Sequence, residues 1–221
     1  MGIKKILKKG REKGTGDDST EEKIKAAAKR LFTSKGFAAT RTRDIAEEAG
    51  INLALLNYYF RSKDKLFEII MRENISLFLG SVIDKMEHLP GLSFEQRLEL
   101  LIDNYIDLLI ENPDLPLFIL TISRSGALET DHANDHLRAS MEKLRTAFFK
   151  DLQQQIQAGK IAPVHPLHFI ANLMGMMVFP FVAAPLLKAR TGISDKDFKA
   201  LMIERKKLIP VWLKSMFMKT D

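Results

Sequence analysis

Two pairs of histidines are the residues best suited by type and spacing to hold a metal ion or to transfer a proton. His132 and His136 are four residues apart, which places two imidazoles on one helix face and can begin a zinc or nickel site. Their surroundings, LETDHANDHLR, are instead typical of a polar loop that runs into a helix start, where acidic side chains are favoured. His165 and His168 flank a proline and are interpreted as capping or surface groups. The sequence therefore predicts no metal site.

Motifs for catalysis or nucleotide chemistry are missing from the sequence. It contains no phosphate-cradling glycine loop, no nucleophile elbow and no metalloprotease helix. The 221 residues include no cysteine, which excludes disulfides and thiolate ligands and fits a reducing compartment. The N-terminus is basic and lacks the apolar segment of a signal peptide. We expect a cytoplasmic protein that is not an enzyme and needs no cofactor.

Residues 40–60 indicate two short helices joined by a tight turn. Thr42 is placed to cap the first helix, and Gly50 stands where the chain must turn with a positive φ, which glycine tolerates best. Asn52 can cap the second helix. The inward-facing apolar residues are Ile45, Ala46, Ala49, Ile51, Leu56 and Phe60. A small residue, a turn glycine and returning apolar residues at this spacing predict a helix-turn-helix.

The elements around this motif are also predicted to be helices. Ser19 and Glu22 have the spacing of a capping box. Apolar residues follow at helical intervals over 24–32, and Gly36 ends this first helix. Further helices are predicted over Ser62–His88, Ser93–Glu111, Asp114–Ser123, Asp131–Ala158, Pro166–Lys188 and Ser194–Met218. No alternating strand pattern or internal repeat is found, so the predicted fold class is all-α.

With these elements, residues 20–70 resemble the N-terminal domain of the TetR/AcrR family of transcription regulators. The matching motifs are Gly36-Phe37 after the first helix, Thr42 to Gly50 across the turn, and Leu56 to Lys63 at the end of the recognition helix. The resemblance implies an N-terminal three-helix domain that binds DNA, followed by a helical domain that dimerises and often binds an effector.

The predicted domains differ in charge. A flexible basic arm, 1–19, has six basic and three acidic side chains, and the helix-turn-helix domain, 20–66, has ten basic and six acidic ones. The helical effector-binding and dimerisation domain, 67–221, is nearly neutral, although the whole chain carries +6. A positive excess near the N-terminus is expected of a module that meets a polyanion. The arm either reaches a neighbouring minor groove or stays disordered.

Several residues of the helix-turn-helix are candidates for contact with the DNA backbone. Thr42 and Arg43 open the motif's first helix, and helix starts, hydroxyls and cations bind phosphates favourably. In the resembled family further backbone contacts come from the end of the recognition helix, which here implies Tyr58, Tyr59, Lys63 and the nearby Lys65.

The base-facing surface departs from the commoner family pattern. Leu53, Ala54 and Leu55 stand where the family often has Lys or Arg, then Gly and Thr. The hydrogen-bonding groups left for base contact are Asn52, Asn57 and Tyr58. Because Asn suits the edge of adenine and short apolar groups suit the thymine methyl, we predict readout of A·T pairs by Asn57 with Leu53 or Ala54. In the alternative, Leu53 and Leu55 only pack, and DNA shape supplies specificity.

A stretch without charged residues runs from Leu167 to Leu187. Its length and polarity meet the criterion for a transmembrane helix. His168, Asn172 and two prolines interrupt it, so we predict a core helix or dimer interface and no membrane. In the resembled family the last two long helices form a four-helix interface between two subunits, which implies a homodimer.

The middle helices are the expected place for an apolar small-molecule effector, since Met and Phe suit an adaptable pocket. The candidate lining residues are Tyr105, Phe118, Phe148, Phe149, Met174, Met177 and Phe181, and the alternative for each is plain core packing. We predict a TetR-type regulator that binds a near-palindromic double-stranded operator as a homodimer, as a repressor released by an effector. The alternative is a helical ligand-binding or adaptor protein whose helix-turn-helix no longer reads DNA.

Overall fold

The structure, a computed structural model, describes residues 15–88, 91–124 and 135–218. Ten helices lie in these ranges: α1 (Thr15–Ala39), α2 (Thr42–Glu48), α3 (Leu53–Phe60), α4 (Lys63–His88), α5 (Phe94–Glu111), α6 (Leu115–Arg124), α7 (Asp135–Gln157), α8 (Pro166–Val182), α9 (Ala184–Thr191) and α10 (Asp195–Phe217). The only β-type pairing in the described ranges is an isolated bridge between Ile161 and Met218. The predicted all-α fold class is confirmed.

Several helix starts follow from local capping. Ser93 and Ser194 were the predicted first residues of two helices and are the caps just before α5 and α10. The Ser93 hydroxyl accepts the N–H of Gln96 at 3.2 Å, and Gln96 Oε1 accepts the N–H of Ser93 at 2.8 Å. This reciprocal pair is a capping box, which satisfies two backbone donors that the helix itself leaves unpaired.

Two predicted caps are wrong. The helical backbone of α1 begins at Thr15, so Ser19 lies inside the helix, and the acidic residue types before it are compatible with a first turn. Thr42 is the first residue of α2, and the cap position belongs to Arg41. The Arg41 N–H donates to the Asp44 carboxylate at 3.4 Å, which replaces the hydroxyl cap expected from Thr42.

The predicted helix Pro166–Lys188 is two helices. α8 ends at Val182, and α9 begins at Ala184 with its axis bent by 61°. Pro185 stands in the first turn of α9, where the missing N–H of proline costs nothing. Within the described ranges no single helix is long and apolar enough to span a membrane, and only this bent pair passes a test of length and composition.

The described residues form two compact units, one ending at Ile70 and one starting at Met71, so the division lies inside α4. The first unit has a core built from α1–α3 and the start of α4, in which the rings of Phe32, Phe37 and Phe67 lie 4.5–5.7 Å apart. In the second unit α5 packs against α10, α8 and α7. Buried apolar residues recur along α5 at helical spacing: Phe94, Leu98, Ile102, Ile106 and Leu109.

Candidate nucleic-acid interface

The turn between α2 and α3 has the predicted construction. Gly50 adopts φ 68°, its N–H donates to the carbonyl of Glu47 at 3.0 Å, and the N–H of Ile51 donates to Ala46 at 3.0 Å. Ala46 is buried, which allows α3 to lie close to α2. The helix-turn-helix predicted from the sequence is confirmed in its geometry.

Asn52 caps α3 as predicted. Its side-chain oxygen accepts the N–H of Leu55 at 2.8 Å, while its own backbone is extended. The cap fixes where α3 starts, and therefore which side chains turn outward. Leu56 and Phe60 are buried against the domain.

Four residues form the solvent face of α3: Leu53, Ala54, Asn57 and Tyr58. At 100° per residue, Tyr58 and Ala54 lie opposite Leu56 and Phe60, while Asn57 and Leu53 lie between the outward and the buried sides of the helix. Tyr58 has 77% of its surface exposed, and Leu53 is half-buried. The face therefore offers one amide, one phenol and short apolar groups, with no cation at its centre.

A concavity of about 340 Å³ lies beside the start of this face. It is lined by Arg41, Thr42, Arg43, Asp44 and Leu53, so it joins the beginning of α2 to the beginning of α3. Both arginines are exposed. Backbone N–H groups at a helix start and two guanidinium groups together favour an anion in this position. Arg41 was missed from the sequence, although its alternation with Arg43 in TRTR was a usable signal.

Arg61 is a second exposed cation that sequence reasoning missed. It ends α3 with φ 58° and ψ −40°, a conformation that few residues other than glycine adopt. The N–H of Ser62 donates to the carbonyl of Phe60 across it at 2.6 Å. No glycine marks this turn in the sequence, so nothing there signals its geometry.

The cations after α3 differ in their surroundings. Lys65 is exposed, and its ammonium lies 3.1 Å from a carboxylate oxygen of Glu68. Lys63 is half-buried, and its ammonium donates to two main-chain carbonyls of the first unit. Tyr59 is half-buried with its ring against those of Tyr58 and Phe60, at 5.5 and 6.3 Å.

Residues 24–70 match the model of a family described as bacterial regulatory proteins of the tetR family. This match covers the helix-turn-helix and the helices that hold it. The chain carries an N-terminal DNA-binding domain of the tetR type. It is a DNA-binding transcriptional regulator and not an enzyme, since the curated proteins to which it is similar are helix-turn-helix transcriptional regulators.

Relatives of this regulator match well beyond the DNA-binding domain. It is 28% identical over 179 residues to the regulator RutR of Escherichia coli K12, which covers 79% of each chain. It is 22% identical to the probable regulator YttP of Bacillus subtilis over 92% of this chain and 96% of that one. Among solved structures, a TetR regulator from Haloarcula marismortui has a TM-score of 0.57 at 23% identity, covering 90% of this chain and 99% of that chain.

The residues predicted to line an effector pocket lie in the second unit and pack in separate pairs and clusters. Phe148 packs on the rings of Phe94 and Phe169, each 6.0 Å away. Phe181 packs on Phe198 at 6.1 Å, and Phe149 lies under the guanidinium of Arg145 at 5.6 Å. Phe118, Met177 and Phe181 are buried, and Met174 is half-buried.

Tyr105 is the polar member of the predicted effector set. Its ring packs against Phe78 at 5.3 Å, and burial raises the pKa of its hydroxyl to about 12. The phenol is therefore neutral at physiological pH and able to donate a hydrogen bond.

The structure describes both histidines of one pair and only one histidine of the other. Among the described residues no group of three His, Cys, Asp or Glu side chains could hold a metal ion, and His132 lies outside those residues. His165 caps α8, accepting the N–H of Leu167 on Nδ1 at 3.2 Å.

Proposed function

We propose that this protein is a TetR-type repressor that binds a near-palindromic double-stranded operator as a homodimer and is released by an apolar small molecule. The observation that carries the proposal is the outward face of α3, capped by Asn52 and flanked by the concavity at the start of α2. A capped, solvent-facing second helix is the element that enters the major groove in helix-turn-helix proteins.

Phosphate contacts are assigned to the edges of this face. The exposed Arg41 and Arg43, with Thr42 at the first position of α2, surround a concavity of about 340 Å³. Tyr58, Tyr59 and Lys65 supply two phenols and one ammonium at the other end of α3. Contacts of this kind set the register of the protein on DNA without reading sequence.

Base contacts are assigned to the centre of the face. Asn57 is exposed and has the donor and acceptor that adenine requires on its N6 and N7 edge. Leu53 and Ala54 present aliphatic groups of the kind that contact the thymine methyl. We infer that A·T pairs are favoured at the centre of each half-site, with Asn52 occupied as the cap of α3.

Homodimerisation is supported by apolar surface on α8 and α10. Leu167 and Phe179, exposed at opposite ends of α8, have 62% and 63% of their surface in solvent. The residues between them at four-residue spacing, Ala171 and Gly175, are small and exposed, which permits close approach of another helix. Val211 of α10 is 62% exposed. A two-fold pair of subunits would present two copies of α3 about 34–36 Å apart, one turn of DNA.

Release by an apolar effector is supported by the aromatic and methionine-rich interior of the second unit. The neutral Tyr105 hydroxyl offers one hydrogen bond among apolar side chains. A solved structure of similar fold is described as FadR from Bacillus subtilis in complex with stearoyl-CoA, with a TM-score of 0.51 at 18% identity over 85% of this chain and 96% of that chain. The effector of this chain is proposed only by chemical class.

Selection of bound genomic fragments, followed by titration of the selected duplex, tests the proposal. Recovered sites should be near-palindromes with A·T pairs at the centre of each half-site. Arg43→Gln should weaken binding and lower the slope of log affinity against log salt by about 0.9. Lys150→Gln, which removes an exposed cation from α7, is the charge-matched control and should change neither.

Two outcomes would contradict this function. If the wild-type protein does not retain duplex DNA even at low salt, the helix-turn-helix no longer reads DNA, and a ligand-binding or adaptor role replaces the regulator. If the selected sites have only G·C pairs at the helix-facing positions, the base readout assigned to Asn57 is wrong while DNA binding stands.

A further inference from the structure

The ammonium of Lys63, the first residue of α4, is fully engaged within the first unit. It donates to the carbonyl of Phe37 at 2.9 Å and to the carbonyl of Thr40 at 3.0 Å. The same nitrogen lies 4.1 Å from the centroid of the Phe37 ring. A lysine ammonium has three N–H donors, so two carbonyls and one aromatic face account for all of them.

These contacts fix the turn that ends α1. Gly36, with φ 77° and ψ 162°, interrupts the helical backbone inside α1, three residues before its last residue, Ala39. Thr40 is 1% exposed, and its hydroxyl donates to the carbonyl of Gly36 at 2.8 Å. Phe37 packs its ring 4.5 Å from that of Phe67. Lys63 therefore holds the main chain of a turn whose side chains are already anchored in the core.

The turn leads directly into the concavity assigned to phosphate. Thr40 is followed by Arg41 and Thr42, both of which line that concavity. The carbonyl of Arg41 accepts the N–H of Ile45 at 3.2 Å and so begins the hydrogen bonding of α2. A displacement of the Thr40 carbonyl would move the start of α2 with it.

We propose that Lys63 is a positioning residue for DNA binding: it holds the turn at residues 36–40 so that the start of α2 meets a phosphate, and it does not contact DNA itself. This assignment replaces the backbone contact expected from the family resemblance, and it rests on the proposed DNA-binding function.

The test compares Lys63→Met with Lys65→Met in the full chain, using the selected duplex and the DNA-free protein. Lys63→Met should lower affinity roughly ten-fold, because two charge-assisted hydrogen bonds that order α2 are lost. The slope of log affinity against log salt should stay at the wild-type value, because no phosphate contact is removed. Amide hydrogen exchange over 41–46 in the DNA-free protein should become faster. Lys65→Met should leave that exchange unchanged.

A fall of about 0.9 in the salt slope of Lys63→Met, with amide exchange as in the wild type, would make Lys63 a phosphate ligand and overturn the proposal. The exchange measurement needs no DNA, so it separates this proposal from the DNA-binding function itself. If wild-type protein binds no duplex, the DNA-binding function fails, and the exchange result alone decides whether Lys63 holds the turn.

A measurement on the wild-type protein covers the case in which Lys63→Met does not fold. The Lys63 ammonium resonance, assigned by its loss in Lys63→Arg, should keep its chemical shift when the duplex is added. A large shift on adding duplex would show a change of hydrogen-bond partner and would overturn the proposal.

Discussion

Arg61 joins the recognition helix to α4 through a strained backbone. Its φ of 58° with ψ of −40° lies outside the regions that most side chains occupy, and the N–H of Ser62 reaches back to Phe60 over only two residues. Conformations of this kind cost about 1–3 kcal/mol, which the surrounding packing must offset. The orientation of α3 relative to α4 therefore depends on one residue under strain.

Arg61→Gly and Arg61→Val test this strain while removing the same charge. Glycine tolerates a positive φ and valine does not, so the free energy of unfolding of Arg61→Val should be about 1–3 kcal/mol lower than that of Arg61→Gly. Urea unfolding of the two variants measures the difference. Equal stabilities would mean that the turn relaxes freely and stores no strain.

At the residue scale, the sequence predicts contacts between residues that are close in the chain. It misses contacts between residues that are far apart in the chain. The Asn52 cap was predicted because donor and acceptor are three residues apart. The family resemblance implies a DNA contact for Lys63, and the sequence gives no sign of its carbonyl partners, which lie 26 and 23 residues earlier in the chain. Only the packed fold brings those carbonyls to the ammonium.

At the scale of elements, α3 is so short that its N-terminal cap should contribute measurably to its stability. It has eight residues, below the length at which a helix is stable alone. Asn52→Ala should lower the free energy of unfolding by about 0.5–2 kcal/mol, because the N–H of Leu55 loses its acceptor.

Asn57→Ala is the matched control in the same helix. Asn57 is exposed in the middle of α3, where alanine is the better helix former, so stability should hold or rise by up to about 0.7 kcal/mol. DNA affinity should fall in this variant if Asn57 makes the proposed base contact. Thermal unfolding and duplex titration of both variants make the comparison, and equal destabilisation would exclude the capping role.

Lys206 links α10 to α5 by ion pairs to Asp103 and Asp107, at 2.9 and 2.7 Å. Burial lowers the pKa of Lys206, but the hydrogen bonds and charges of the two carboxylates outweigh it, so the net pKa lies above its ordinary value of 10.5. A raised pKa means that the folded state binds the proton more tightly. The stabilisation is therefore complete below the unfolded pKa and is lost as the pH rises through the folded one.

Lys206→Met should lower the free energy of unfolding by about 1 kcal/mol at neutral pH. The gap to the wild type should narrow above about pH 10.5, where the wild-type ammonium begins to lose its proton. Urea unfolding from about pH 8 to about pH 11 measures this gap. Lys207→Met, at the exposed neighbouring position, should show no such gap, and a constant gap for Lys206→Met would rule out the ion pairs as its cause.

Helix starts were more predictable than the bend between α8 and α9. Serine caps act over three residues and can be read directly from the sequence. Two prolines fall within the uncharged stretch, and either one could end a helix. Pro180 is buried inside α8 without ending it, while the break comes at Ala183. Packing around each proline decides between them, and the sequence does not contain that information locally.

At the scale of the whole molecule, Gly175 offers a direct test of the proposed homodimer. A Cβ added there would meet no atom within 4 Å in the protomer, and the same is true of Gly80 on α4. Gly175→Leu and Gly80→Leu should each keep or raise protomer stability, by up to about 1 kcal/mol, because glycine weakens a helix.

Only Gly175→Leu should weaken the proposed dimer, because it fills the small-residue surface through which we propose that α8 approaches its counterpart. An interface residue of this importance costs 2 kcal/mol or more, so the dissociation constant should rise by roughly 30-fold. Sedimentation velocity across a concentration series measures it. If Gly175→Leu dimerises as strongly as the wild type, the interface does not include this part of α8.

The boundary between the two compact units is the feature that the sequence indicates least clearly. The two compact units meet inside α4, after Ile70, whereas the sequence suggested a domain end at Leu66. α4 runs without interruption from Lys63 to His88, so no proline, glycine or change of periodicity marks the place. The boundary is defined by the contacts that each half of α4 makes with its own unit. Those contacts involve residues outside α4, so the sequence of α4 does not reveal them.

The distribution of aromatic residues between the two units gives each one a different dominant fluorophore. The single tryptophan, Trp212, lies in the second unit with the guanidinium carbon of Arg205 5.0 Å from its ring. Two of the three tyrosines, Tyr58 and Tyr59, lie on α3 in the first unit. Quenching of tyrosine emission would thus follow docking on a duplex, while a shift in indole emission would follow events in the second unit. One unlabelled sample would report both in the same titration.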